Sequence, residues 1–158
     1  MEFLPEAIDN YAISHTEKEP KLLAKINRET WANVMIPRML SGHLQGRILS
    51  MFSKLINPEN ILEIGTYTGY SALCLAEGLK PTGTLDTLDI NEEYTSIANR
   101  YFKESDFNNN IKQHIGQALD IIPTLACNFQ LAFIDADKEN YSAYFDAIID
   151  KMDIGGLI

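Results

Sequence analysis

Cysteine is scarce, with two in 158 residues. Cys74 and Cys127 offer neither a disulfide framework nor the spacing of a zinc site, so both read as small buried thiols of a cytoplasmic protein. Positive charge is also short. Against 22 Asp and Glu there are 13 Lys and Arg, a net charge of −9 that argues against nucleic acid as a partner. No apolar run is long enough for a bilayer, and the N-terminus M-E-F-L-P-E lacks a signal-peptide pattern, so no membrane partner is expected. There is no repeat, no low-complexity segment and no linker. The motif G-x-G-x-x-G is missing, which removes the bare-backbone cradle that a dinucleotide's pyrophosphate requires. What remains is 46% hydrophobic and 22% charged, ordinary for a globular chain, and long enough for one domain with a real core.

The most informative stretch is Asn60 to Ser71, N-I-L-E-I-G-T-Y-T-G-Y-S. Ile61, Leu62 and Ile64 form a short apolar run bounded by turn signals, as in a parallel strand covered on both faces. Gly65 removes a Cβ where a ligand would lie against the backbone, and Gly69 lets a helix pack close as it begins. Strand, glycine loop and helix N-terminus together form a nucleotide-type pocket. Glu63, one residue before the strand's end, is costly in an apolar run unless something polar uses it. The pattern E-x-G-x-x-x-G, with a carboxylate at the loop, suits a cationic ligand without phosphate, such as S-adenosylmethionine. On the loop alone, an ordinary strand-to-helix turn with a stray Glu is the plainer alternative.

Helical spacing is read over Phe3–Ser14 and Lys21–Val34, broken by the polar stretch up to Pro20. Lys18, Lys21, Lys25 and Arg28 read as a solvated helix face rather than an anion site. Met35 to Gly46 reads as a loop, and His43 within it as a hydrogen-bonding residue near a helix start. An apolar stripe over Leu44–Leu55 is a helix that ends at Asn57-Pro58. Further helices are expected over Ser71–Leu79, Glu92–Lys103, Ala118–Leu125 and Tyr141–Met152. Strands are expected at Thr84–Ile90, Ile111–Ile115, Phe129–Ile134 and from Asp153 to Ile158, where the chain stops inside the strand. This alternation predicts an α/β fold with a mostly parallel sheet, helices on both faces and right-handed crossovers. Residues 1–56 form a helical segment and 57–158 the core of a single domain over 1–158.

Asp89 ends the second strand about 25 residues after the glycine loop, where an acid accepts both ribose hydroxyls of an adenosine. A cap on the following helix is the plainer alternative, and both roles can coexist. A second cluster, Asp135, Asp137 and Lys138, stands at the carboxyl end of the fourth strand, the ligand edge of such a sheet. Two carboxylates so close suit a hard cation such as Mg²⁺. Lys138 becomes a base if a cation and partial burial depress its pKa. A solvated turn or helix cap is the plainer alternative.

With L-E-I-G-T-Y-T-G-Y-S and F-I-D-A-D-K-E-N-Y in view, the chain from about Met39 onward resembles the cation-dependent O-methyltransferases, the caffeoyl-CoA and catechol O-methyltransferase-like enzymes with their small bacterial members. The resemblance implies a Rossmann-like methyltransferase fold, S-adenosylmethionine and a divalent cation as cofactors, and a small aromatic diol as methyl acceptor. It also implies a homodimer, with the N-terminal helices as candidate interface. By motif, Glu63, Gly65, Thr66 and Ser71 would hold the methionine part, Asp89 the ribose, and Ala118 and Asp137 the flanks of the cofactor. Met39 and Ser41 match the loop that covers the methionine end. Asp135 would be a metal ligand, Lys138 the general base, and Tyr144 a residue on the substrate side.

The family's remaining metal ligands are an Asp-Asn pair just after the fifth strand, beyond Ile158. The last strands of the sheet lie there too, so the chain is expected to be a fragment; alone, it would expose a sheet edge. Two other functions stay open on the residues. One is a non-catalytic S-adenosylmethionine-binding domain, and the other, disfavoured by the missing glycines, a nicotinamide-dependent oxidoreductase.

Overall fold

A computed structural model of the chain describes residues 5–158. Phe3 and Leu4, counted above in the first helix, lie outside them. Helices α1 (Glu6–Ser14), α2 (Lys21–Asn33) and α3 (Gly42–Ile56) precede β1 (Asn60–Ile64). Then follow α4 (Tyr70–Ala76), β2 (Thr84–Asp89), α5 (Glu92–Glu104), β3 (Ile111–Ile115), α6 (Ala118–Ile121), β4 (Phe129–Ile134), α7 (Tyr141–Ile149) and β5 (Met152–Leu157).

The five strands form one parallel sheet in the order β3-β2-β1-β4-β5. The central strand β1 pairs with β2 from Asn60–Thr84 to Ile64–Leu88 and with β4 from Ile61–Leu131 to Ile64–Ile134. Alternation sorts its side chains. Ile61 joins Leu85, Leu131 and α2 to α5 on one face, while Leu62 and Ile64 join Leu88, Ala132, Phe129, α6 and α7 on the other. Both faces are therefore covered, which is why β1 carries apolar side chains on each face, whereas β2 also buries the polar Asp86 and Thr87 between Leu85 and Leu88.

Polar contacts fix the N-terminal helices on this core. Arg47 of α3 is buried and forks onto Glu77 after α4, with Nη2–Oε1 at 2.6 Å, and Ser50 and Lys54 donate to the same carboxylate. Glu29 of α2 receives Arg100 and Tyr101 of α5. Lys25 pairs with Glu104 at 2.6 Å and lies over the Tyr101 ring, so this part of the basic face is an inter-helix contact. Cys74 is fully buried and Cys127 half-buried; burial pushes the Cys74 thiol up to about 12.

Several predicted boundaries shift. The third helix begins two residues earlier, at Gly42, and the Met35–Gly46 loop holds a 3-10 turn over Pro37–Met39. The helix predicted over Ala118–Leu125 is α6 followed by a 3-10 turn at Ile122–Thr124, because Pro123 has no N–H for a continuing α-helix. Helix α7 stops at Ile149, and Met152 opens β5 instead of closing the helix. Along β5 the residues from Ile154 on are exposed, Ile154 fully so. Among the described residues, no helix is long and apolar enough to cross a membrane.

Candidate active site

The carboxyl ends of β1, β2 and β4 meet at two adjoining clefts. The larger, of about 630 Å³, runs from Asp89 and Tyr94 past Ala118 to Asp137 and Tyr144. The smaller, of about 200 Å³, is walled by Ser41, Thr66, Ser71 and Lys138. Met39, Gly65, Tyr67 and Asp135 line both. The sheet thus brings the glycine loop and the D-A-D-K cluster together, as predicted.

The loop's conformation explains its glycines. Gly65 has φ +109°, and a Cβ there would collide with the backbone carbonyl of Asp135. Its main reason is therefore the close approach of the β4 terminus, in addition to any ligand. Gly69 has φ +86° and faces the Phe102 ring, 2.7 Å from where a Cβ would sit. That contact lets α4 dock against α5, as its place in the motif suggested.

Glu63 lies beneath the loop rather than in a cleft wall. It is fully buried, and its Oε2 accepts the Thr87 hydroxyl at 2.5 Å; that hydroxyl is also 2.6 Å from Thr66 Oγ1. Oε1 has no partner. Burial pushes its carboxyl up to about 8, against the hydroxyls of Ser71 and Thr87, and the charges of Asp135 and Asp89 push the same way. A buried carboxyl oxygen without a donor fits a cationic ligand arriving over the loop.

Asp89 is fixed by two backbone donors, Tyr67 N at 2.8 Å and Asn91 N at 2.9 Å. The cap of α5 is not Asp89 but Asn91, which accepts from Glu93 N and Tyr94 N. Asp89 is thereby held at the rim of the larger cleft with lone pairs left for hydroxyl donors.

The two acids of D-A-D-K do not form a pair. Asp137 accepts from Asn140 Nδ2 and from the Tyr144 hydroxyl, which hold its carboxyl below the usual range. Tyr144 is buried, and burial together with that bond pushes its phenol up to about 12. It stands with Asp89 and Ala118 in the larger cleft, on the side given above to the cofactor. Asp135 lies at the clefts' junction, where desolvation by the cleft walls raises its carboxyl against the opposing charge of Lys138. Among the described residues no three Asp, Glu, His or Cys side chains gather as a metal site. The described residues thus supply one free carboxylate, Asp135, and not a complete coordination shell.

His43 departs from expectation: its Nδ1 is buried without a hydrogen-bond partner. The residue reading overlooked Tyr67, Tyr94, Asn91 and Asn140. Tyr67 and Asn140 lie inside the quoted motifs, but their contacts depend on segments far along the chain or across a turn.

The family model described as O-methyltransferase matches residues 13–158. A caffeoyl-CoA O-methyltransferase of Petroselinum crispum is 35% identical over 147 residues, covering 89% of this chain and 61% of that protein. The chain therefore spans about three fifths of the length of the curated relative. Among solved structures, the O-methyltransferase TomG of Streptomyces achromogenes, in complex with S-adenosylmethionine, superposes with a TM-score of 0.87 at 31% identity, over 93% of this chain and 67% of TomG. An O-methyltransferase of Bacillus cereus in complex with S-adenosylhomocysteine gives 0.86 at 30% identity, over 93% and 68%. The sheet and its flanking helices are those of the S-adenosylmethionine-dependent methyltransferase fold.

Proposed function

The chain belongs to the O-methyltransferase family, and from that premise we propose that it binds S-adenosylmethionine and transfers the methyl group to a hydroxyl of a vicinal dihydroxy aromatic acceptor, aided by a divalent cation. One observation carries the reading. The glycine loop, Asp89 and the Asp135–Lys138 segment converge on two clefts that meet at Met39, Gly65, Tyr67 and Asp135. The larger cleft has the size of small-molecule sites.

When bound, S-adenosylmethionine supplies an electrophilic methyl on a cationic sulfur, and a divalent cation supplies acidity to a hydroxyl that it coordinates. Asp89 accepts the ribose hydroxyls, and Ala118 and Asp137 flank the cofactor. Glu63, whose raised carboxyl holds a proton near neutrality, would ionise to balance a cationic ligand arriving over Thr66 and Ser71, and Met39 and Ser41 cover the loop. Asp135 contributes one carboxylate ligand to the cation. Lys138 is exposed rather than partly buried, so its Nζ would take the acceptor's hydroxyl proton only in the neutral form that a nearby cation favours. The residues mainly hold the reacting groups in register, a contribution that can reach several kcal/mol.

The caffeoyl group in the relative's name carries the vicinal diol that such an acceptor requires. A coenzyme A ester would need cationic groups for its phosphates, and this acidic chain favours a smaller catechol. The exposed apolar stripe Ile48, Met51, Phe52 and Leu55 on α3 supports a homodimer through the N-terminal helices, which sedimentation equilibrium tests. The engagement of Asp137 by Tyr144 and Asn140 favours one other reading, a non-catalytic S-adenosylmethionine-binding domain in which the acidic cluster is structural.

Calorimetric titration with S-adenosylmethionine, with and without Mg²⁺ and a catechol, separates the readings. Cofactor binding, with catechol binding only when Mg²⁺ is present, supports the metal-assisted transferase. Cofactor binding without a metal effect favours a binding module or a metal-independent enzyme. No cofactor binding removes the reading altogether.

A further inference from the structure

Tyr67 joins two parts of the molecule that the proposed function leaves separate. Its backbone takes φ +49°, a left-handed conformation that aromatic residues rarely adopt. Three contacts hold it there. Its N–H donates to Asp89 Oδ2 at 2.8 Å, its ring packs edge-on against Tyr94 with centroids 5.0 Å apart, and its hydroxyl donates to the carbonyl oxygen of Ile36 at 3.0 Å. The Ile36 oxygen also accepts Met39 N at 3.1 Å, the bond that closes the 3-10 turn over Pro37–Met39. A single carbonyl thus anchors the turn to itself and to the glycine loop. That turn carries Met39, which lines both clefts, and leads directly to Ser41 in the smaller one.

We propose that Tyr67 is a latch: its hydroxyl holds the segment from Ile36 to Ser41 closed across the junction of the two clefts, making it a positioning residue for methyl transfer. What lies beneath the segment rests on the S-adenosylmethionine reading; the latch itself does not. Closure of this kind excludes water from the reacting groups and slows escape of what is bound. Asp89 fixes the Tyr67 backbone, so a ligand that engages Asp89 also bears on the residue that holds the segment shut. Burial and the neighbouring Tyr94 push the Tyr67 phenol up to about 12, so it remains a donor across the ordinary pH range.

The test is Tyr67→Phe, which keeps the ring and removes only the hydroxyl. Arg38 is exposed within the turn, so trypsin can cut the Arg38–Met39 bond when the segment opens. The cleavage rate follows the open population when closing is fast. Loss of one neutral hydrogen bond predicts about 3- to 10-fold faster cleavage at Arg38, with other sites and the melting midpoint little changed. Tyr11→Phe, at an exposed tyrosine of α1 outside both clefts, should leave that rate within about twofold. In stopped flow, Tyr67→Phe should release S-adenosylmethionine about 3- to 10-fold faster at an unchanged association rate, a split that general loosening of the fold would not produce. In the unaltered protein, the amides of Met39 and Leu40 should exchange at least about tenfold slower than free peptide. Unchanged cleavage in Tyr67→Phe, or free exchange at Met39 and Leu40, overturns the latch. If cleavage accelerates but S-adenosylmethionine neither binds nor protects either protein, the latch stands and the cofactor reading fails.

Discussion

Gly65 and Asp135 are pressed together so closely that a single methyl group on residue 65 would overlap the Asp135 carbonyl oxygen. The Asp135 N–H donates to Ile64 O at 2.9 Å, which locks the β4 terminus beside the glycine loop. The loop proposed to receive the cofactor and the acid proposed for the cation are therefore one mechanical unit.

Gly65→Ala should be severely destabilising. The variant meets both a φ of +109° and a backbone collision that no rotamer relieves. Strain and overpacking together suggest a loss of about 2–5 kcal/mol. Urea denaturation measures it, and a loss under about 0.5 kcal/mol would refute this account of the loop, being the range of an inconsequential surface change.

Stability should depend on pH through two carboxyls acting in opposite directions. Burial raises Glu63 to about 8 in the folded protein, above its ordinary value of 4.5. Folding then favours the protonated form, so its contribution is complete below about 4.5, declines as pH rises and is gone above about 8. Glu77 is the reverse. Burial alone would raise it, but hydrogen bonds from Arg47, Lys54 and Ser50 prevail and hold it at about 2. Its contribution is present above 4.5 and lost as pH falls towards 2. Thermal melts from pH 3 to pH 9 should show Glu63→Gln flattening the decline on the alkaline side and Glu77→Gln flattening the acid side. An unchanged alkaline slope in Glu63→Gln would mean that the buried carboxyl does not titrate in this window.

Asp89→Asn should weaken S-adenosylmethionine binding about 10- to 100-fold, the loss of charge-assisted bonds worth about 1.5–3 kcal/mol. The substitution also leaves either Tyr67 N or Asn91 N facing an amide nitrogen instead of an oxygen. Calorimetry gives the affinity directly, and a change below threefold would contradict the ribose assignment.

Strands β1 and β4 were legible because apolar runs bounded by Gly, Pro and Asn mark buried parallel strands, and Phe129–Ile134 was placed to the residue, as was the short edge strand Ile111–Ile115 despite its polar centre. The meeting of the two motifs was legible from strand alternation, since ligands gather at the carboxyl edge of such a sheet. Individual side-chain partners were not. Asp89 and Asn91 are both good cap residues, and only the course of the chain after β2 assigns the cap to Asn91. The D-A-D spacing places Asp135 and Asp137 close in sequence, but their different backbone paths send Asp137 to Tyr144 and Asn140. Tyr67 was invisible because its partner is a backbone carbonyl 31 residues away, and a carbonyl has no signature in the sequence.

Asp135→Ala and Lys138→Ala carry the chemistry. Asp135 stands where the clefts meet, and Lys138 lines the smaller one beside Ser41, Thr66 and Ser71, while Asp89 and Ala118 line the larger. Each substitution should therefore reduce methyl transfer to a catechol by about 100-fold or more, the scale of a lost general base, while S-adenosylmethionine affinity stays within a few-fold. Lys138→Arg is the sharper test, because it keeps a cationic side chain beside Asp135 but, unlike lysine, has no accessible neutral form to take up a proton. Lys138→Arg should be as inactive as Lys138→Ala if Lys138 receives the acceptor's proton. If Lys138→Arg retains near-normal turnover, Lys138 serves only as a positive charge next to Asp135, and the base must be found elsewhere.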